Sequence, residues 1–395
     1  MESKRTGVLY RYGGALLSFF VPVALFFVLS LRDGVLANVV SDGLCYLSVA
    51  DRFLTRGHFI QHAIRPEGFV VPFGLPLILT VFRALGMSVE AIVVFQHFLM
   101  GGTCLLLYLT EKNRFGRGGF APAVLCLAWL RLRMIPDNLY VECYFLFFLC
   151  LILWLLSRDD IPMKKKLIWL NVAGFCAFVI RPVLLVVWLS ILGYTVFCIR
   201  KKQFPLRTAL ILWGVFALLL LGNAAVNCRE TGHWIWLENY SGRELFLANN
   251  PSTRPVSFSS SLLEEFGGSR YTEIYRDKSL DWTEKNAVFA AAAREWVLAN
   301  PGVFIKNTAI KFVRMFFISW RGGTLFALAG AVIEIRGAGP CRRRMLWELG
   351  VCLLLALITS IGLVMGRYTL PIWPLASLHL AALAHAVLER LFARG

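Results

Sequence analysis

One feature constrains this chain more than any other: apolar runs close to 20 residues long recur along it, and short knots of lysine and arginine fall between them. A run of that length is what an α-helix needs to cross about 30 Å of hydrocarbon at about 1.5 Å per residue. Backbone groups find no water there, so crossing segments satisfy them internally and are helical. Composition agrees, since 58% of the 395 residues are hydrophobic and only 16% are charged, against about 25% charged in a soluble domain.

The net charge of +17 would suit nucleic acid if the basic residues formed one stripe. They are instead divided among clusters at Lys4 to Arg11, Lys112 to Arg117, Arg158 to Lys166, Arg200 to Arg207, Arg336 to Arg344, and Arg390 to Arg394. The positive-inside rule puts every cluster on the cytoplasmic side if about ten helices cross the membrane. No nucleic-acid partner is expected. The first run lacks a small-residue cleavage site and is expected to be a retained anchor.

The expected spans are Gly14–Leu31, Val89–Thr110, Gly119–Met134, Leu139–Leu156, Leu167–Ile180, Val183–Cys198, Thr208–Val226, one crossing between Phe304 and Ile335, Met345–Met365 and Thr369–Leu388. Val71 to Gly86 is apolar but short and contains Arg83, whose burial at mid-bilayer would cost about 2.5–3.5 kcal/mol. Counting it as a span would also reverse every later cluster, so it is expected to be interfacial or re-entrant. The fold class that follows is an all-α polytopic membrane protein, a single domain over 1–395, with interfacial helices in two extracytoplasmic loops at 32–88 and 227–303. In the second loop Asp281 and Glu284 have capping-box spacing, and Phe289, Ala292, Ala293 and Trp296 recur with helical period before Asn300-Pro301. Asn249 to Gly268 is rich in Asn, Pro, Ser and Gly and reads as loop.

Asp42 lies just beyond the first span, where a carboxylate near the water boundary can be a general base. Ser41-Asp42-Gly43 suits a helix N-cap equally well, and the residues alone favour the cap. Glu142 falls within the first turns of an apolar run, and an ionisable group there is a functional candidate or a structural partner for Arg131, Arg133 or Arg181. Asp137 could cap the same helix. Arg181 and Arg367 sit at the non-cytoplasmic ends of runs, where a guanidinium fork could grip phosphate or snorkel to headgroups. His58 and His62 are four apart, a spacing that puts two metal ligands on one face if the segment is helical; surface histidines are the simpler reading, and a divalent metal is unsupported. The cysteines scatter through apolar runs as expected of buried thiols, while Cys45 and Cys228 both fall outside and could pair. GxxxxGK[ST], GxSxG, GxGxxG and Asp-x-Asp are all absent, which removes support for nucleotide hydrolysis, α/β-hydrolase and dinucleotide chemistry and for a metal-held nucleotide-sugar donor.

Taken in order, several of these residues resemble the GT-C superfamily of membrane glycosyltransferases, which includes protein O-mannosyltransferases and lipid A aminoarabinose transferases. The resemblance runs through Asp42, Tyr46 and Ala50, Gly57-His58-Phe59, Pro72-Phe73-Gly74-Leu75-Pro76-Leu77, Glu142, Arg181-Pro182, Asn249-Asn250-Pro251, Asn300-Pro301 with Lys306 and Lys311, and Arg367-Tyr368 with Pro371. It implies a metal-independent or weakly metal-dependent inverting transfer from a polyprenyl-phosphate sugar to a lipid, glycan or protein acceptor at the outer face of the cell inner membrane, with no cofactor. Asp42 would be the catalytic base, and Glu142 or Asp137 a second acid positioning the acceptor. Arg181, Lys306 and Arg367 would hold the donor phosphate, with Tyr46, His58 and Tyr368 lining the substrates. A polyprenyl-saccharide flippase, or an O-antigen ligase or polymerase, are the alternatives; the flippase reading lacks the matching halves such transporters often show.

Overall fold

The computed structural model describes residues 2–32, 42–61, 68–129, 138–254, 263–320, 327–333, 342–362 and 370–392. Its main helices are α1 (Glu2–Arg32), α2 (Asp42–Arg56), α3 (Gly74–Ala84), α4 (Val89–Phe115), α5 (Phe120–Trp129), α6 (Val141–Ser157), α7 (Met163–Ile180), α8 (Leu185–Arg200), α9 (Leu206–Thr231), α10 (Ser241–Ala248), α11 (Leu263–Arg276), α12 (Trp282–Ala299), α13 (Pro301–Trp320), α14 (Arg342–Ile361) and α15 (Trp373–Phe392). A two-residue ladder, β1 (Ile60–Gln61) against β2 (Phe69–Val70), interrupts them between α2 and α3. Among the described residues five helical stretches are long and apolar enough to cross a membrane: Tyr12–Arg32, Val89–Phe115, Pro182–Arg200, Leu206–Thr231 and Leu370–Phe392. Gly74–Ala84, Val141–Ser157 and Leu346–Ile361 are shorter apolar helices. The chain is thus all-α, with helices suited to a multi-pass membrane protein.

Close backbone approach holds the first helices together. A Cβ on Gly101 of α4 would lie 2.7 Å from the Phe19 carbonyl oxygen of α1, and one on Gly14 would lie 2.5 Å from the Tyr108 hydroxyl. Small residues at such crossings let dispersion contacts do what hydrophobic exclusion cannot do in lipid. Further along, Asn171 of α7 joins three helices: its amide donates to Thr195 Oγ1 at 2.9 Å on α8 and its oxygen accepts from Trp213 Nε1 at 3.2 Å on α9.

Among the described residues, the basic clusters at Lys112 to Arg117, Arg158 to Lys166 and Arg200 to Arg207 lie at one end of the bundle, with the start of α14 and the end of α15. There Glu111 of α4 accepts the backbone N–H groups of Gly119, Phe120 and Ala121 at 2.8, 3.2 and 3.0 Å, capping α5, and meets His385 Nε2 of α15 at 2.9 Å. Arg114 pairs with fully buried Glu348 of α14, and Asn113 donates to Ser157 at the end of α6. We refer to this as the basic end.

At the opposite end the two loops form one lobe. Ile60 and Val70 of the ladder bury with Ile235 from the second loop. Asn239, itself buried, accepts Val70 N at 2.8 Å and donates to the Gly68 carbonyl at 2.9 Å and to Thr283 Oγ1 at 3.0 Å. Phe69 stacks on Tyr240 with ring centroids 5.3 Å apart. A second small core of Phe246, Leu247, Tyr271, Ile274, Phe289 and Ala293 packs α10, α11 and α12 together. The capping box at Asp281 and Glu284 is present as the spacing predicts.

Three expectations need correction. Residues from Leu263 to Gly268 belong to α11 and not to a loop; Gly268, at φ 60°, kinks that helix. Helix α9 continues past Val226 to Thr231, whose hydroxyl donates to the Asn227 carbonyl before Gly232 ends the helix with its N–H on the Cys228 carbonyl. Cys45 and Cys228 are both free thiols.

Candidate functional site

The resemblance singles out residues that the fold carries to the lobe end. Asp42 is the first residue of α2 and half-buried, with Tyr46 and Ala50 buried on successive turns. Its place at a helix N-terminus fits a cap and a reactive carboxylate alike. Helix α2 packs on α3, where Thr80 Oγ1 reaches the Ala50 carbonyl at 3.5 Å and Arg83 pairs with Asp51 at 2.9 Å. That ion pair also answers how Arg83 is tolerated in an apolar helix. Gly74, opening α3, lies so close to α7 that a Cβ there would fall 2.7 Å from the Val179 carbonyl carbon and 2.8 Å from Ile180 N. The next residue, Arg181, leaves the helix: its N–H donates to the Ala177 carbonyl at 2.9 Å and its carbonyl accepts Leu184 N at 2.9 Å.

Helices α6 and α7 form an antiparallel pair joined by a short turn at the basic end. The first turn of α6, carrying Glu142, therefore shares the lobe end with Arg181. Glu142 has no exposed surface, and the partial positive charge of the α6 N-terminus favours a carboxylate there. Two acids and a guanidinium thus meet the lobe end through a contiguous chain of packed helices, α2 on α3, α3 on α7, and α7 on α6.

The other predicted residues divide. Asp137, Arg367, Tyr368 and His62 lie outside the described residues. Lys306 is exposed on α13. His58 is neither on a helix nor at the surface: Gly57 at φ 76° ends α2 with its N–H on the Phe53 carbonyl, and His58 turns inward, 5% exposed. Its Nδ1 accepts Ile60 N at 3.4 Å, which leaves the proton on Nε2, facing Glu230 at 3.8 Å. The helical spacing behind a two-histidine metal site is therefore broken. Among the described residues no group of three or more His, Cys, Asp or Glu side chains could hold a metal ion.

The residue that single-sequence reasoning undervalued is Lys311. It is 3% exposed, and its ammonium donates to the carbonyls of Ala248 at 3.2 Å and Gly362 at 3.1 Å. Beside it the Asn249 amide donates to the carbonyls of Leu245 at 3.0 Å and Ile361 at 2.9 Å. Lysine and asparagine together satisfy the carbonyls that helix ends leave open at the C-termini of α10 and α14. Asn249 Oδ1 and Thr308 Oγ1 are buried here without a hydrogen bond among the described residues. Asn249 and Lys311 stand in the resemblance, but nothing local in the sequence says that they meet.

Two carboxylates in the lobe are displaced from their usual range. Burial pushes Glu238 up, although the N–H groups of Tyr240 and Ser241 that it caps pull the other way. Burial would also raise Asp281, but the N–H of Glu284 and a 2.7 Å contact with His233 outweigh it and hold Asp281 low.

The chain matches no protein-family profile, no curated protein and no solved structure.

Proposed function

We propose that this chain is a membrane glycosyltransferase of GT-C type, which moves a sugar from a polyprenyl-phosphate donor to an extracytoplasmic acceptor. The observation that supports the reading is that Asp42 on the first turn of α2, a fully buried Glu142 in the first turn of α6 and Arg181 at the break after α7 stand on helices packed in succession toward the lobe end. In this reading about ten helices cross the membrane, the basic end is cytoplasmic and the lobe faces outside the inner membrane.

The chemistry follows from those residue types. Asp42 takes the proton of an acceptor hydroxyl or amine as that group attacks the anomeric carbon from the face opposite the phosphate. The bond from the anomeric carbon to the phosphate oxygen breaks, the polyprenyl phosphate leaves, and configuration inverts. Charge grows on the leaving phosphate in the transition state, where Arg181, Arg367 and Lys306 are the cations the resemblance assigns to neutralise it. Glu142 orients the acceptor.

The test is sugar transfer in membranes carrying the wild type, Asp42→Asn or Glu142→Gln, supplied with a panel of polyprenyl-phosphate sugars, with equal insertion verified. Transfer by the wild type that Asp42→Asn loses supports the reading. Translocation without product from any of the three proteins returns a lipid-linked saccharide flippase. Transfer that Asp42→Asn leaves intact moves the base elsewhere, as an O-antigen ligase or polymerase would require.

A further inference from the structure

The outer end of α9 carries an arrangement that the transfer reaction does not use. After Thr231 the chain turns at Gly232, φ 77°, and folds back along the helix it has just left. Two asparagines of α9 hold the returning strand: Asn227 Nδ2 donates to the Ile235 carbonyl at 2.8 Å and Asn223 Nδ2 to the Trp236 carbonyl at 2.9 Å. Ile235 tucks under the lobe at 5% exposure, while Trp234 and Trp236 stand outward at 61% and 53%, their rings 6.4 Å apart.

The depth of the pair can be read from α9 itself. From Leu210 to Val226 its outward face is apolar, with Leu210, Ile211, Val215, Leu218 and Leu221 all exposed; Arg207 marks its basic start and exposed Arg229 and Glu230 its polar end. At about 1.5 Å per residue Asn223 lies about 24 Å above Arg207 and Asn227 about 30 Å above it. The hydrocarbon layer is about 30 Å thick. The fold-back thus lowers Trp236 into the upper edge of that layer and leaves Trp234 at its boundary. Indole, apolar with one polar N–H, is the side chain suited to that zone.

We propose that Trp234 and Trp236 form an interfacial anchor that seats the lobe in the headgroup layer of the adjoining leaflet, with phospholipid as its partner. The exposed apolar face of α9 reaches Val226, and the fold-back sets the pair at the level of Asn223 and Asn227, where exposed Arg229 and Glu230 mark the change to a polar surface. This anchoring is independent of the reaction catalysed.

The experiment places a nitroxide at Trp234→Cys or Trp236→Cys, and at exposed Lys278→Cys as a reference, in the full chain reconstituted in phosphatidylcholine vesicles. The parent chain's own signal is subtracted. Labels at 234 and 236 are expected to collide preferentially with oxygen, which concentrates in lipid, and the label at 278 with a water-soluble nickel chelate. Labels at 234 and 236 that meet the chelate as freely as 278 does would overturn the anchor. Shielding from both reagents would also overturn it, since a second protein surface would then cover the pair. If the cysteine variants do not fold, the Trp234→Phe, Trp236→Phe protein decides: bromine near the headgroup end of the acyl chains should quench its tryptophan fluorescence less than that of the parent, and equal quenching rejects the proposal.

Discussion

Lys311 Nζ lies 3.1 Å from the carbonyl oxygen of Gly362 and 3.2 Å from that of Ala248, so one buried ammonium ties the ends of α14 and α10 to α13. Lys311→Met would leave two carbonyls buried without a donor, at about 1–3 kcal/mol. The expected result is a lower melting temperature in detergent, with Lys311→Arg recovering part of it. An unchanged melting temperature for Lys311→Met would show that the two donations contribute nothing.

Gly74 is the contact through which α3 reaches the end of α7 beside Arg181. Gly74→Ala puts a methyl 2.7 Å from backbone that cannot yield without moving the helix. Overpacking of this kind costs about 1–3 kcal/mol. On the proposed function, transfer activity should fall more than stability does, because the displaced helix is the one on which α2 and Asp42 rest. A paired activity and melting measurement separates the two.

The Asn239 side chain makes three hydrogen bonds, two to the first loop and one to Thr283 of its own, and Asn239→Ala should loosen the lobe by about 1–3 kcal/mol. Limited proteolysis should then cut between β1 and β2 and between α10 and α11 together. Asn239-Tyr240-Ser241 has the form of a glycosylation sequon, but the Asn239 amide already donates to Gly68 and Thr283. Expression through a eukaryotic secretory route should leave Asn239 of the folded protein unmodified, which mass spectrometry of the peptide would reveal.

Asp281 titrates lower folded than unfolded because of the Glu284 N–H and His233, despite its partial burial. Its contribution is therefore complete above the ordinary carboxylate range and is lost as pH falls through the folded value. Amide exchange in the first turn of α12, corrected for intrinsic rate, should accelerate on acidification below about pH 4. Asp281→Ala removes the cap at about 0.5–2 kcal/mol and should flatten that pH dependence.

What could be read from the sequence was what local pattern specifies. Asp281 and Glu284 stand three apart on one turn, so the start of α12 was legible, as was the membrane character carried by the apolar runs. His58 was misplaced because a four-residue spacing presumes helix, and the glycine before it ends the helix. The end of α9 was missed because the last turn, Asn227 to Thr231, is polar and is closed by the Thr231 hydroxyl on the Asn227 carbonyl, which hydropathy does not register. Lys311 and Asn249 meet partners 63 and 112 residues away, and such pairings leave no mark on a single sequence.

The 169 residues between Val70 and Asn239 also set a timetable. The first loop is synthesised early, yet the side chain that completes its ladder emerges only after α4 to α9 have been made. Until then Phe69 lacks Tyr240 and Trp282, Val70 lacks Ile235 and Asn239, and the first loop stays without the contacts that join it to the second. The protein's competence is in this sense decided late in translation, when its second loop arrives to close the first.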